Sequence, residues 1–446
     1  FMGGDRNGFV MDDAGALRKT KRSAAETLRV AANLNGTASF LKAGDGTGYL
    51  SGSNSFTGGT VVTNGTLVAQ NASALGNGAV TVKGAGALDL GGNNFSMPGD
   101  FTMTGGGINS GSLTAANYNL SGGNVGSSLG EGIANITGLS SNVVTVTGSL
   151  GASNVNISAN GRLFAASSNA LAATATVNFG AAGDNVAQVN TLDLNGHSFS
   201  LAGLNTTGIA KNLVTDTLGG STLTLTGASA FAGSIGSGNI ALNVAAGNHS
   251  LTGVNTFTGA TTIGSGAKID LGTTGSLAST PTVNINGGTL LLEAGNQVNA
   301  SADLNLNGGT VSLGGETGSA GTVSQAFGSL TMTADSTIDF TGLAGSSFTV
   351  NGAFNLNNGI LSIHNWKDGN QLILSLGSSS FSGDLANIQF FSGTTQDTLL
   401  NSAGFMGNEI VPVPEPGVVI TGLLMGAWML FAGRRRIAGL LTRRMA

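Results

Sequence analysis

The chain has 446 residues, a formal net charge of −5, 75 glycines, 9% charged residues and no cysteine. Because compact enzymes carry about a quarter of their residues as Asp, Glu, Lys and Arg, this composition disfavours a compact multidomain enzyme. The glycines follow no strict triplet period, which excludes collagen, and the many leucine and β-branched residues disfavour plain disorder. Without cysteine, the fold does not depend on disulfides.

Basic residues are rare in the body of the chain. Between residues 31 and 433, Asp and Glu outnumber Lys and Arg about threefold. No stripe of positive charge is available to neutralise phosphates, so a nucleic-acid partner is not expected. The basic residues of this region are Lys42, Lys83, Arg162, Lys211, Lys268 and Lys367.

Residues 1–32 differ from the rest of the chain. The run from Asp12 to Arg29 is rich in alanine and charge and is compatible with a helix. Two interpretations remain open: a helical cap that covers the exposed strand edges of the next segment, or a disordered leader. This stretch contains no apolar segment of a secretory signal peptide, so we expect the native N-terminus to be missing from this sequence.

A repeated phrase organises residues 33–321. Residues 50–69, LSGSNSFTGGTVVTNGTLVA, and residues 251–270, LTGVNTFTGATTIGSGAKID, align without a gap, and residues 225–238 are a degenerate third copy. Such a repeat predicts stacked structural units rather than one globular core. The two complete copies agree at Leu50/Leu251, Gly52/Gly253, Asn54/Asn255, Phe56/Phe257, Thr57/Thr258, Gly58/Gly259, Thr60/Thr261 and Gly65/Gly266.

Each copy has the pattern of a strand, a turn and a second strand. Runs such as residues 60–63 (TVVT) and 66–68 (TLV) alternate β-branched or leucine side chains with small polar ones, and Gly or Asn-Gly closes each run. Asparagine is frequent near these turns, as at Asn64, Asn195 and Asn286. It could form amide ladders inside the coil or occupy left-handed corners.

Two further phrases recur. Residues 87–100 match residues 191–204 at several positions that include Asp89 and Asp193. A shorter phrase occurs three times, as N-G-G-T in two copies and as N-N-G-I in the third. In the shorter phrase, the step from Ile285 to Leu306 is 21 residues, about the length of one coil of a parallel β-helix. Strands would then stack at roughly 4.8 Å, each bonded to its counterparts in the neighbouring coils. The shorter phrase stands at 285–290, 306–311 and 356–361.

These phrases resemble a known repeat family. Over residues 41–100 and 251–271, the pattern L-x-G-x-N-x-F-T-G-x-T, followed by Gly-Thr-Leu and L-D-L-x-G, is similar to the autotransporter-associated β-strand repeat of surface-exposed β-helical passenger domains. The resemblance implies a right-handed parallel β-solenoid outside the cell and no catalytic activity.

Residues 322–410 are predicted to form the last coils and an aromatic-rich cap. Bulky side chains there would close the end of the stack, as terminal repeats must. Trp366, within the polar and aromatic segment 364–368, has an alternative interpretation as a surface on which carbohydrate stacks. The aromatic residues are Phe327, Phe340, Phe348, Phe354, Trp366, Phe381, Phe390, Phe391 and Phe405.

Residues 411–446 have three parts. Pro414, Glu415 and Pro416 precede an apolar run at 417–433, and a basic cluster follows it. At about 1.5 Å per residue the run predicts a helix of roughly 25 Å, a short membrane span. The basic cluster would stay in the cytoplasm and place the rest of the chain outside. This cluster is Arg434, Arg435 and Arg436.

The order of these three parts resembles a PEP-CTERM sorting signal. The resemblance implies that an exosortase-type sorting protease recognises Pro-Glu-Pro and releases the protein from the inner membrane to the exterior. Residues 437–446 extend further past the arginines than is usual in that family.

Candidate catalytic and metal-binding residues are few. Glycosidase chemistry needs two carboxyl groups at a defined separation; Asp335 and Asp339 could share a strand face, whereas Asp89 and Asp193 repeat in one phrase and are expected to be solvent-facing decoration. Residues 44–48 (GDGTG) resemble a calcium-binding glycine turn, but only once. The histidines are scattered and expected at the surface, so we predict no catalytic, metal or cofactor-binding site; they are His197, His249 and His364.

We therefore predict an all-β protein, a right-handed parallel β-helix (β-solenoid) followed by a single C-terminal transmembrane helix. The predicted function is that of a non-enzymatic structural protein or adhesin at the surface or in the extracellular matrix of a Gram-negative-type bacterium, anchored in the inner membrane in transit. Extracellular polysaccharide is a candidate partner. The alternative is a carbohydrate-active β-helix enzyme, a polysaccharide lyase or hydrolase, which three or more charged side chains converging in one groove would favour.

Overall fold

The computed structural model describes residues 9–11, 17–19, 27–138, 142–236, 238–314, 321–341, 344–374, 381–393 and 399–413. It divides into two compact units, which are considered separately below. Unit 1 comprises Phe1–Val283 and Gln297–Asn299, and unit 2 comprises Asn284–Asn296 and Ala300–Ala446.

Unit 1 is built from short strands that alternate buried and outward-facing side chains. This alternation follows from the period of two residues in an extended chain. The strands are β1 (Phe9–Met11), β2 (Leu17–Lys19), β3 (Thr27–Val30), β4 (Phe40–Lys42), β5 (Thr47–Leu50), β6 (Thr60–Ala69), β7 (Val80–Asp89), β8 (Asn94–Ser96), β9 (Phe101–Asn109), β10 (Ser112–Thr114), β11 (Asn117–Val125), β12 (Ser128–Leu129), β13 (Ile133–Ile136), β14 (Val144–Val146), β15 (Ser149–Leu150), β16 (Asn154–Ile157), β17 (Arg162–Ala165), β18 (Thr176–Phe179), β19 (Val189–Asp193), β20 (Phe199–Leu201), β21 (Gly203–Thr206), β22 (Lys211–Thr215), β23 (Thr222–Leu225), β24 (Ser229–Phe231), β25 (Ser234–Ile235), β26 (Ala241–Val244), β27 (Asn248–Leu251), β28 (Val254–Asn255), β29 (Thr261–Ile263), β30 (Lys268–Asp270) and β31 (Ser276–Leu277).

Strands of unit 1 pair in parallel with their counterparts in the neighbouring coil. β13, β14 and β15 belong to one coil; β13 pairs with β16 of the next coil and β14 with β17, while β15 pairs with β12 of the coil before. Val80 pairs with Phe101, a step of 21 residues. The predicted parallel β-solenoid is therefore confirmed, whereas the handedness of its winding stays a prediction.

The interior of unit 1 is a narrow stack of apolar side chains. In β17, Leu163 and Ala165 are buried while Arg162 and Phe164 face outward. Each fully buried Leu, Val, Ile or Phe contributes about 1.5–3 kcal/mol relative to an exposed one. Because every coil supplies several such residues, stability is distributed along the stack.

The first strands differ from the expected helical cap. Leu17–Lys19 and Thr27–Val30 are strands, and Thr27 pairs with Thr47 in a parallel ladder with β5. Helix propensity is a weak preference in an isolated segment, and here the backbone instead bonds to the edge of the adjacent coil.

Unit 2 is also built mainly from parallel pairs. Thr289 pairs with Thr310, which matches the 21-residue step predicted from the shorter phrase. β32 (Thr282–Asn286) contains the division between the units. The following elements are β33 (Thr289–Leu292), β34 (Asp303–Asn307), β35 (Thr310–Leu313), β36 (Ser324–Phe327), β37 (Ser329–Ala334), β38 (Ser336–Asp339), β39 (Ser347–Val350), β40 (Phe354–Asn355), β41 (Leu361–His364), β42 (Gln371–Leu374), β43 (Phe381–Ser382), a 3-10 helix (Leu385–Asn387), β44 (Ile388–Phe391), β45 (Leu399–Met406) and β46 (Glu409–Pro412).

The last strands of unit 2 reverse direction. β45 pairs antiparallel with both β44 and β46, and β46 pairs antiparallel with β42. The hairpin therefore occupies strand edges that would otherwise present unpaired N–H and C=O groups. Aromatic rings pack beneath it, including Phe354 against Phe381, with ring centroids 5.5 Å apart.

The sequence-predicted tail, with Pro414, Glu415, Pro416, the apolar run 417–433 and the arginines 434–436, lies outside the described residues. Within the part of the chain that the structure describes, no helix is long and apolar enough to cross a membrane.

Candidate functional site

The repeated phrase places one buried asparagine at the same point of two coils. Asn255 is 1% exposed; its Oδ1 accepts the N–H of Ile235 at 2.9 Å, and its Nδ2 donates to the carbonyls of Gly253 at 3.0 Å and Ser276 at 3.1 Å. The side chain therefore links the coil before it to the coil after it. We name this arrangement the asparagine bracket.

Asn54 forms the same bracket in the first copy. It is 3% exposed, accepts the N–H of Leu34 at 2.8 Å and donates to the carbonyl of Ala74 at 2.6 Å. A buried amide must satisfy both its donor and its acceptor, and the neighbouring coils supply these partners in each case.

The other shared positions of the phrase also serve contacts between coils. Phe56 and Phe257 are buried in the stack. A Cβ added at Gly52 would overlap the carbonyl of Ala32, and one added at Gly253 would overlap that of Gly233, so only glycine permits this approach of adjacent backbones.

A shallow groove lies on the outer face of β17, β19 and β22. It consists of two adjoining depressions with volumes of about 270 and 190 Å³. Register places Arg162, Thr191 and Leu213 in one row across the three strands, and Phe164, Asp193 and Thr215 in the next. The remaining lining residues are Val143, Leu163, Asp216 and Thr217.

Both carboxylates of this groove hold turns. Asp193 Oδ1 accepts the N–H groups of Asn195 and Thr217, each at 3.0 Å, and Oδ2 accepts the Thr217 hydroxyl. Asp216 is 3% exposed and accepts the N–H groups of Gly196 at 2.6 Å and Ser221 at 3.0 Å.

Burial raises the pKa of the Asp216 carboxyl, but hydrogen bonds from Ser221, Gly196 and Gly219 more than offset this, and its pKa lies below its ordinary value. The group is therefore a poor proton donor. Three charged side chains do line one groove, but Asp216 is not in a setting that suits a catalytic acid, and Asp193 is held in turn contacts.

Residues 40–69 and 246–267 match the passenger-associated-transport-repeat family. These segments contain the two copies of the phrase and both asparagine brackets. No curated protein and no solved structure matches the chain significantly. The two repeats and the parallel β-solenoid fit a structural protein of the passenger-domain or adhesin type.

Asp89 and Asp193, the aspartates of the second phrase, face outward as predicted, but they also hold turns and are not mere decoration. The carboxylates of Asp89 and Asp193 each accept the N–H two residues on, at 2.8 and 3.0 Å. Asp270 and Asp339 do the same, each at 2.8 Å. The residues that donate these N–H groups have left-handed backbone conformations, which an aspartate side chain stabilises; they are Gly91, Asn195, Gly272 and Thr341.

Asp335 and Asp339, the sequence-predicted carboxylate pair, are used in different turns. Asp335 accepts the N–H of Ile360 at 2.8 Å, and Asp339 also accepts from the Asn365 amide at 2.7 Å.

Both expected roles of asparagine occur. Asn195 occupies a left-handed corner with φ 50°. Amide contacts between coils also form: Asn190 donates to Asn212 at 2.9 Å in the interior, and a longer ladder on the outer face joins amides at 2.9–3.1 Å. Its members are Asn119, Asn135, Asn156, Asn178 and Asn205.

His249 is not at the surface, which corrects the prediction for this residue. It is fully buried; its Nε2 donates to the Ala246 carbonyl at 3.0 Å, so Nδ1 accepts the Ser229 hydroxyl at 2.7 Å. Burial lowers the pKa of its imidazole, and contacts with the Ala246 and Gly227 carbonyls oppose this only in part. The sequence offered no signal for this pair, because its members lie 20 residues apart in adjacent coils.

Trp366 and the turn at 44–48 also have structural roles. Trp366 is 7% exposed and packs edge-on against Phe340 and Phe390, so it offers no open face to carbohydrate.

Lys42, 2% exposed, donates to the carbonyls of Gly44 at 2.7 Å and Asn64 at 2.9 Å. Its ammonium therefore contacts a carbonyl of the turn directly. Within the described ranges, no three His, Cys, Asp or Glu residues could jointly hold a metal ion.

Proposed function

We propose that this chain is a non-enzymatic structural or adhesive protein displayed outside the cell, where its solenoid acts as a stiff stalk or matrix component. The observation that supports this is the use of the repeated phrase: its most distinctive residues, such as Asn54 and Asn255, are buried between coils and serve stacking alone. In a solenoid, contacts of this kind produce length and rigidity rather than a reaction site.

We further propose that residues 411–446 sort the protein. Pro414, Glu415 and Pro416 would be recognised by an exosortase-type protease, while the apolar run 417–433 anchors the chain in the inner membrane. Arg434, Arg435 and Arg436 would hold the end in the cytoplasm. The order of these three parts in the sequence supports the proposal.

The test is mass spectrometry of full-length protein, expressed with an export signal in a PEP-CTERM-containing bacterium and recovered from outside the cells. We expect a mature C-terminus near Pro416, and Glu415→Ala should retain peptides that cover Trp428. Replacing the three arginines with lysine keeps the charge and is the matched control. Surface protein that still contains the tail would contradict cleavage, and protein confined to the cell interior would contradict display.

A carbohydrate-active enzyme is the second candidate, because Arg162, Asp193 and Asp216 line one groove. Hydrolysis by two carboxyl groups requires one of them to donate a proton. The hydrogen bonds that Asp216 accepts oppose that role, and Asp193 is engaged in turn contacts. We expect no release of reducing ends from neutral or acidic polysaccharides. Activity that Asp193→Asn abolishes without unfolding would favour the enzyme.

A further inference from the structure

Two unusual residues of unit 1 stand together on β17. Arg162 is the single arginine between residues 30 and 433. Among aromatic side chains whose burial is described in residues 27–283, only Tyr49 and Phe164 are not buried, and the guanidinium of Arg29 covers the Tyr49 ring at 4.3 Å. Arg162 and Phe164 are two positions apart and therefore project from the same face of one strand.

Outward positions of this solenoid are otherwise mostly small and polar. An aromatic ring at such a position leaves apolar surface in water, which solenoid stacking does not require. Both residues line the groove over β17, β19 and β22. The two unusual outward residues, Arg162 and Phe164, therefore lie at the groove itself.

The chemistry of the groove suits a sugar ring. Phe164 and Leu213 supply apolar surface for the C–H face of a pyranose, and Arg162 supplies planar N–H donors for its hydroxyls. Thr191 and Thr215 add hydroxyl groups that both donate and accept. Specific small-molecule sites combine apolar surface with a few placed polar groups in this way.

The charges that line the groove indicate which class of sugar it can bind. Two carboxylates, Asp193 and Asp216, and one guanidinium, that of Arg162, line the groove. The chain as a whole is acidic. A uronate or sulfated sugar would therefore meet a field of its own sign, whereas a neutral hexose would not.

We propose that this groove is a binding subsite for a neutral hexose unit of an extracellular polysaccharide. The proposal rests on the proposed function, because it requires display outside the cell. The open groove is small, so a single site binds weakly, and a polymer would gain affinity by engaging several copies of the protein at once.

The test is isothermal titration of the whole chain with neutral hexasaccharides of glucose and mannose, alongside an acidic hexamer of galacturonate. We expect binding of at least one neutral hexamer, and a loss of tenfold or more in Phe164→Ala and in Arg162→Ala. Lys83→Ala and Ile209→Ala remove an exposed cation and an exposed apolar side chain outside the groove, and should bind as the wild type does.

Circular dichroism spectra would check that each variant is folded. If Phe164→Ala does not fold, Thr215→Gln, which fills the groove and keeps the ring, should weaken binding similarly. Absence of binding to every neutral hexamer, preference for galacturonate, or unchanged binding in the groove variants would overturn the proposal. A displayed protein that binds no sugar would still satisfy the proposed function, so the two outcomes are distinguishable.

Discussion

The asparagine bracket can be tested by replacing Asn255 with alanine. This removes three hydrogen bonds and leaves the buried N–H of Ile235 without its acceptor. A hydrogen bond contributes about 1 kcal/mol net, and a buried group without a partner costs about 1–3 kcal/mol. We therefore expect Asn255→Ala to lower the local free energy of unfolding by about 4 kcal/mol.

The matched control is Asn156→Ala in the outer ladder. Asn156 also exchanges amide hydrogen bonds with its neighbours, Asn135 and Asn178, but it is only partly buried. Water can replace its hydrogen-bond partners there, so we expect Asn156→Ala to lower the local free energy of unfolding by about 1 kcal/mol.

Hydrogen–deuterium exchange resolves the difference, because coils of a solenoid can open locally. Asn255→Ala should raise the opening equilibrium of peptides that cover residues 230–280 by roughly 10³-fold, against about fivefold around residue 156 in the control. Equal effects of the two substitutions would refute the reasoning, since burial would then not decide the cost.

Three further predictions concern stability. Gly253→Ala should lower the thermal midpoint strongly, because its methyl group would overlap the Gly233 carbonyl, whereas Gly183→Ala has open space and should change it little; equal shifts would contradict this. Below pH 6.5 the imidazole of His249 is protonated in the unfolded chain but not in the folded one, so the free energy of unfolding should decrease as pH decreases. In urea titrations His249→Gln should make this pH dependence weaker; an unchanged dependence would be inconsistent with burial. Trp366→Ala should cost about 3–5 kcal/mol in chemical denaturation without changing sugar binding, and weaker binding would reinstate the stacking interpretation.

Much of the fold follows from residues that lie close together in sequence. Alternation over residues 60–63, a glycine corner at Gly65 and the recurrence of the whole phrase at 251–270 define strands and turns of regular length. Short strands joined by tight corners can satisfy their backbone bonds by parallel stacking on neighbouring coils, which the register of β6 with β7 displays. Of the three strands within residues 1–32, β2 and β3 could not be anticipated, because β4 and β5 further along the chain supply their partners.

The groove, in contrast, could not be predicted from residues that lie close together in sequence. Asp193 repeats in sequence, and repetition alone could not show that this outward-facing residue also accepts three hydrogen bonds in turns. Arg162 was visible as a rare cation, but its position beside Phe164, Thr191 and Leu213 depends on strands from three successive coils.

Local sequence thus decided the alternation and the corners, because these depend on side-chain shape and backbone preference within a few residues. Tertiary structure alone decided which groups meet, including the Asn255 side chain with the Ile235 N–H, His249 with Ser229, and the residues of the groove. The physical reason is that coil lengths vary, so the register between neighbouring coils determines each contact and no fixed sequence spacing encodes it.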